Sequence, residues 1–142
     1  MNFAGLNWIA ILVAAIVLFV MGAIWYGPKT LFPILWRLLG HPFDALEKPV
    51  DSMSKVFSFT AIGCLVQATF LSALIHSLNI NSFTGGLSTG LFVGIGIAAA
   101  PALSHTLFAQ AAFNKNGLKI WAIETFPDAI NMAVACAILA IW

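Results

Sequence analysis

The last apolar stretch of the chain, KIWAIETFPDAINMAVACAILAIW from Lys119 to Trp142, contains two carboxylates and an amide. On a helix, Asp128 lies about 40° to one side of Glu124 and Asn131 about 20° to the other, so the three side chains share one face. A carboxylate near the centre of a membrane helix costs about 2.5–3.5 kcal/mol, whereas each Leu, Ile, Val or Phe contributes only about 0.3–0.6 kcal/mol. We therefore expect this face to point towards partner helices or a wet cavity.

Polar residues of the preceding apolar stretch are candidates to accompany these acids. In a hairpin centred near Asn116, His105 lies at nearly the depth of Asp128, and Gln110 is roughly level with Glu124. A histidine beside an aspartate can hold or shuttle a proton between about pH 5 and 8. The pair has two interpretations. It is either a structural clasp that lets the last helix insert, or part of a proton or cation pathway or a polar ligand cavity.

The composition places these residues in a membrane. Of 142 residues, 61% are hydrophobic and 8% are charged, whereas a soluble domain carries about 25% charged residues. We predict a single all-α domain, residues 1–142, built as an integral membrane bundle of four transmembrane helices. Four stretches have the length and apolar character needed to cross a hydrocarbon core of about 30 Å: residues 6–26, 56–78, 86–113 and 119–142.

The basic residues predict how the bundle faces. All six lie in or beside two loops: Lys29, Arg37, Lys48 and Lys55 at the first, Lys115 and Lys119 at the third. Because loops one and three share a side, the positive-inside rule places them in the cytoplasm and both termini outside. The predicted location is the inner (plasma) membrane. With six basic residues and a net charge of +1, no nucleic-acid partner is expected.

The first loop begins with a stretch whose apolar residues follow the pattern of an amphipathic helix. In PKTLFPILWRLLGHP, the residues Leu31, Ile34, Leu35 and Leu38 recur at helical spacing. This pattern predicts a short interfacial helix that lies on the membrane surface.

Span three contains a packing pattern. Gly86, Gly90 and Gly94 recur every four residues, a spacing that lets another helix backbone approach closely. The sequence leaves the partner open between span one, span four and a second copy of the chain. The lipid bilayer and a homo-oligomer through span three are thus the candidate partners.

The sequence contains no motif for a cofactor or a catalytic metal. Cys64 and Cys136 both lie inside apolar runs and are interpreted as small buried hydrophobic residues rather than a disulfide or metal ligands. There is no Cys/His cluster, nucleophile elbow or P-loop. We therefore expect no cofactor and no metal.

The end of span one, GAIWYGP, combines an aromatic pair with a helix stop. Trp25 and Tyr26 fall at the predicted cytoplasmic interface, where amphipathic rings are favoured, and Gly27 with Pro28 ends the helix. The first interpretation of the pair is an interface anchor. The second is stacking on a ligand.

This motif also carries a family resemblance. LNW near the start, GAIWYGP, Phe32 with Trp36, AAAPAL with Phe108, Asp128 and a closing Trp form one pattern. The chain resembles a family of small four-span bacterial membrane proteins classed as a domain of unknown function. The resemblance covers nearly the full length, and its most specific part is Gly22-x-x-Trp25-Tyr26. It implies a fold and a membrane location, and no substrate.

Two function classes follow. The first is a non-enzymatic membrane protein, either an oligomeric scaffold or a small transporter that uses a polar His/Asp/Glu site between spans three and four. The second is a membrane enzyme or binder for a lipid-soluble substrate, with His105 and Asp128 as an acid–base pair. We favour the first class.

Overall fold

The computed structural model describes residues 5–41, 52–111 and 115–142. These residues form helices and no β-strand, which confirms the predicted all-α bundle. The helices α4 and α5 and the π-helical segment between them make one continuous membrane span, Phe83–Ala111, which we call span three. The elements in chain order are α1 Trp8–Trp25, α2 Phe32–Leu38, α3 Met53–Ser77, α4 Phe83–Phe92, the π segment Val93–Ala99, α5 Ala100–Ala111 and α6 Gly117–Ile141.

Four of these helical units are long and apolar enough to cross a membrane: α1, α3, span three and α6. The chain is therefore a multi-pass membrane protein. Each observed boundary lies within three residues of the predicted one, except that residues 112 and 113, at the predicted end of span three, lie outside the described residues.

Capping groups explain where two spans begin. The Asn7 side-chain oxygen accepts hydrogen bonds from the backbone N–H groups of Ile9 and Ala10, at 3.1 and 3.2 Å. The Ser82 hydroxyl oxygen likewise accepts from the N–H of Gly85, at 3.2 Å. Both satisfy N–H groups that a helix leaves free in its first turn.

The predicted short helix in the first loop is present as α2. It begins with a proline in its first turn, where the missing N–H does no harm. Leu35 is buried and Ile34 is half exposed, and α2 contacts α6. The rest of that loop, residues 42–51 with Lys48, lies outside the described residues.

The last helix, α6, is the centre of the bundle. It packs against α1, α3, α2 and the whole of span three, whereas span three has few contacts with any helix other than α6. Within an apolar stretch of 18 residues in each span, 44% of the residues are buried in α6 and only 11% in span three. The core between α1, α3 and α6 is built largely from small residues, among them Ala14, Ala68, Ala135, Cys136 and Ala140.

The glycines of span three pack against α6 of the same chain. A Cβ atom added at Gly86 would lie 2.7 Å from the Cα of Ala137, and one added at Gly90 would lie 2.5 Å from the Cα of Ala133. Gly94 meets Ala129 in the same way, at 2.6 Å. These separations are too short for any side chain, so the two backbones are in direct contact.

This packing answers the question that the sequence left open. The partner of the glycine stripe is span four, and α6 covers the stripe. A homo-oligomer built through the same glycines would have to displace α6. The physical reason is that α6 offers alanines at the matching four-residue spacing, which allow the closest approach of two helices.

Candidate functional site

The polar residues of α6 face α1 and α3. Glu124, Asp128 and Asn131 share one side of the helix, as predicted, and we call them the acid face. Two hydrogen bonds join this side of α6 to the end of α1. The alanines that meet span three occupy the other side of α6.

The aromatic pair at the end of α1 holds the acid face by two hydrogen bonds. The indole Nε1–H of Trp25 donates to the Oδ1 of Asn131 at 3.1 Å. The hydroxyl of Tyr26 donates to the backbone carbonyl of Glu124 at 3.2 Å. Asn131 is only 6% exposed, so its amide depends on protein partners rather than water. The pair therefore joins α1 to α6, a role that the sequence did not distinguish from an interface anchor.

Pro127 interrupts the backbone hydrogen bonding of α6 next to Asp128, and the carbonyl that it leaves without a helical donor is that of Ile123. A proline has no N–H, so an internal proline leaves a carbonyl of the preceding turn without its helical donor. Two side chains donate to carbonyls in this region: Tyr26 to Glu124, and Thr125 to the carbonyl of Trp121 at 2.7 Å. The irregular stretch of α6 thus coincides with the acid face.

The two carboxylates of the acid face have no counter-ion among the described residues. Neither side-chain carboxylate, of Glu124 or of Asp128, accepts a hydrogen bond or forms an ion pair within that part of the chain. Asp128 is exposed and Glu124 is partly exposed, although Pro127 and Ala129 on either side of Asp128 are buried. No described side chain therefore neutralises either carboxylate.

Tyr26, just past the end of α1, lies within the electrostatic field of both acids. Burial raises the pKa of its phenol to about 12, and the negative charges of Asp128 and Glu124 add to the rise. Tyr26 thus remains a neutral hydrogen-bond donor at physiological pH. Asp128 also interacts electrostatically with Cys64 of α3, which places a residue of α3 beside the acid face.

The length of α1 sets the depth of the site. Its 18 residues extend for about 27 Å, close to the roughly 30 Å thickness of a hydrocarbon core. Trp25 and Tyr26 therefore lie at one end of the span formed by α1, and their bonds place the acid face at that end. This is the end of the bundle that carries the described basic residues, and we call it the basic end: Lys29, Arg37, Lys55, Lys115 and Lys119.

The structure does not bring His105 to Asp128. The glycine contacts pair Gly94 with Ala129, and Gly117 lies against Leu107 at the other end of the hairpin. In this register Asp128 is level with Ile95, and His105 is level with Leu118. The ten-residue difference between positions 95 and 105 corresponds to about 15 Å along the helix.

His105 and Gln110 therefore lie nearer the basic end than expected. His105 is exposed on α5, and Gln110 lies beside Gly117 at the start of α6 rather than level with Glu124. The expected register assumed a hairpin centred near Asn116. The close packing of the glycines on Ala129, Ala133 and Ala137 sets a different one, and the acid face also points away from span three.

A second tryptophan, Trp121, joins α6 to span three. Pro101 cannot donate a backbone hydrogen bond, and the π segment ends two residues before it, at Ala99. The Nε1–H of Trp121 donates to the carbonyl of Ala99 at 2.8 Å. This contact fixes the irregular part of span three against α6, and no sequence pattern singled out Trp121.

The cysteines lie at the core and its edge. Cys136 is buried and Cys64 is partly buried, and both are free thiols. Within residues 5–41, 52–111 and 115–142, no three His, Cys, Asp or Glu side chains converge as metal ligands do. Cys64 joins the site only through its proximity to Asp128, which the sequence could not indicate.

Comparison with known protein families identifies the family of this chain. The model of the family described as Protein of unknown function (DUF1761) matches residues 9–140. The chain belongs to this family. No significant match was found among the curated proteins or the solved structures. The description of DUF1761 assigns no activity.

Proposed function

We propose that this DUF1761 protein is a small, non-enzymatic inner-membrane transporter that binds a cation at the acid face of α6. One observation carries the proposal: Glu124 and Asp128 lie one helical turn apart with no counter-ion among the described residues. Two like charges at this spacing repel each other, and a bound cation relieves the repulsion. Ionisable residues in membrane helices are costly and generally serve ion or substrate pathways.

The surroundings of the carboxylates favour an organic cation. Trp25 and Tyr26 place two aromatic rings beside the acid face, and aromatic faces attract ammonium groups. The polar hydrogens of both rings are used to hold α6, which leaves the ring faces for contact with a ligand. Protonated amines fit this combination of carboxylates and rings.

Binding of tetraphenylphosphonium, a lipophilic cation, tests this proposal. We expect measurable binding by isothermal titration calorimetry at pH 8, and weaker binding at pH 5, because protons compete for the carboxylates. Asp128→Asn should lower the affinity at least about tenfold, which corresponds to about 1.4 kcal/mol. Asp44→Asn makes the same chemical change in the first loop and should leave binding unchanged. No binding by the unaltered protein, or equal binding by both variants, would contradict the proposal and favour a scaffold.

The orientation of the bundle gives a second test. The basic residues that the structure describes lie at one end, and the positive-inside rule assigns that end to the cytoplasm. The acid face then opens to the cytoplasmic side, and both termini lie outside. Alkaline phosphatase fused after Trp142 should be active, since it folds only outside the cytoplasm, whereas a fusion after Gly40 should be inactive. The reverse pattern would show that the predicted orientation is wrong.

A further inference from the structure

An apolar groove runs along the opposite side of α6 from the acid face. It lies between α6 and span three and has a volume of about 460 Å³. Its one hydroxyl side chain, Thr125, donates to the carbonyl of Trp121 in its own helix. The walls are otherwise apolar: Leu91, Ile95 and Leu103 on span three, and Ala122, Phe126 and Ile130 on α6.

The groove exists because span three changes its path. The glycine stripe holds the two helices in backbone contact as far as Gly94. Gly94 already belongs to the wider π segment, which continues to Ala99 and is followed by Pro101 in α5, and both features bend or displace a helix. No residue of α5 is buried, so this side of the hairpin opens outward. In a membrane-spanning bundle, the medium outside is the acyl chains of the bilayer.

Two polar residues flank the groove at the basic end. On α6, Lys119 precedes Ala122, Phe126 and Ile130 at steps of three, four and four residues, so it continues the groove wall. In the register set by the glycines, Lys119 is level with Ser104 of α5. Both side chains are exposed, and neither has a hydrogen-bond or ion-pair partner within the described part of the chain.

Ser104 also lies on the groove side of span three. Leu91 and Ile95 line the groove, Ala100 continues that line across the π segment, and Ser104 follows Ala100 by one turn. A hydroxyl and an ammonium thus stand on opposite walls at the same level. Both donate hydrogen bonds, and an ammonium at this position attracts an anionic group.

We propose that the groove binds one phospholipid of the surrounding bilayer with an anionic headgroup. One acyl chain lies between Leu91 and Phe126, and the phosphate lies between Lys119 and Ser104. The apolar walls match an acyl chain, the depth matches the half of the bilayer at the basic end, and the charge matches an anionic headgroup. This site is separate from the acid face, because it occupies the other side of α6.

Native mass spectrometry can test the site in the full-length protein. Protein purified in mild detergent is mixed with equal amounts of palmitoyl-oleoyl phosphatidylglycerol and palmitoyl-oleoyl phosphatidylcholine. We expect one tightly retained phosphatidylglycerol. Lys119→Gln should lower that preference about fivefold, the factor equivalent to about 1 kcal/mol per basic residue at an anionic surface. Lys115→Gln removes a neighbouring exposed lysine outside the groove and should have no effect.

Variants that fill the groove distinguish lipid bound in the groove from lipid bound elsewhere on the protein surface. Ala122→Phe places a ring in the groove and should abolish retention of both lipids. Ala61→Phe, the same change at an exposed position of α3 outside the groove, should not. Ala100→Phe fills the facing wall and replaces Ala122→Phe if that variant does not fold. Equal retention of the two lipids by the unaltered protein, or retention unaffected by a filled groove, would overturn the proposal.

Discussion

Replacing Gly90 by alanine is expected to destabilise the folded protein by about 2 kcal/mol or more. A Cβ atom at this position would lie 2.5 Å from the Cα of Ala133 and even closer to the carbonyl oxygen of Met132. Both are backbone atoms and cannot turn aside, so α4 and α6 must separate. Overpacking in a tight interior costs about 1–3 kcal/mol, and this contact lies in the largest helix–helix interface of the bundle. Thermal unfolding in detergent measures the change.

Gly63→Ala is the matched control. Gly63 lies inside α3, and an added Cβ atom there meets no atom within 4 Å. Alanine is favoured over glycine inside a helix by about 0.5–1 kcal/mol, so this variant should be as stable as the original protein or more stable. If Gly90→Ala instead keeps its stability and only dissociates an oligomer, the stripe packs between copies and the described α4–α6 contact is wrong.

Removal of the Trp25–Asn131 hydrogen bond should cause the second large loss of stability. Trp25→Phe keeps a ring at the end of α1 but removes the donor, so the buried amide oxygen of Asn131 loses its partner. An unsatisfied buried polar group costs about 1–3 kcal/mol. Trp8→Phe makes the same change at the exposed start of α1 and should cost much less. Thermal unfolding of the two variants gives the comparison.

The sequence was sufficient for the architecture because membrane insertion leaves strong local patterns. Apolar length predicted each span, and Gly27 with Pro28 predicted the end of α1, which the structure places at Trp25. The helical spacing around Leu35 likewise predicted α2. These properties belong to single segments, so they can be recognised without knowledge of the tertiary structure.

The arrangement of the polar site depended on tertiary packing. The helical angles correctly placed Glu124, Asp128 and Asn131 on one face, but they could not show which neighbour that face meets. The expected link to His105 relied on the middle of a loop as the reference for depth. Contacts between small residues on α4 and α6 determine the depth instead, and a shift of a few residues moves a side chain to another level.

The bonding partners of Trp25 and Tyr26 also could not be predicted from the sequence. Rings of Trp and Tyr at a helix end are typical of interface anchors, so the spacing in GAIWYGP did not require a partner. Only the fold shows that α1 ends level with the acid face of α6, where the donors of Trp25 and Tyr26 reach Asn131 and Glu124. A donor and an acceptor 106 residues apart in sequence cannot be paired from one sequence.

The acid face of α6 is held by α1 and not by span three. Two double-mutant cycles, measured as thermal stability in the same detergent, test this arrangement directly. For Trp25→Phe with Asn131→Ala, we expect a coupling energy of about 0.5–3 kcal/mol, because the residues share a hydrogen bond. For His105→Leu with Asp128→Leu, we expect the single effects to add within about 0.5 kcal/mol. The reason is that His105 and Asp128 lie at different depths, and that Asp128 is on the side of α6 that points away from span three. Coupling between His105 and Asp128, with additive effects at Trp25 and Asn131, would contradict this arrangement.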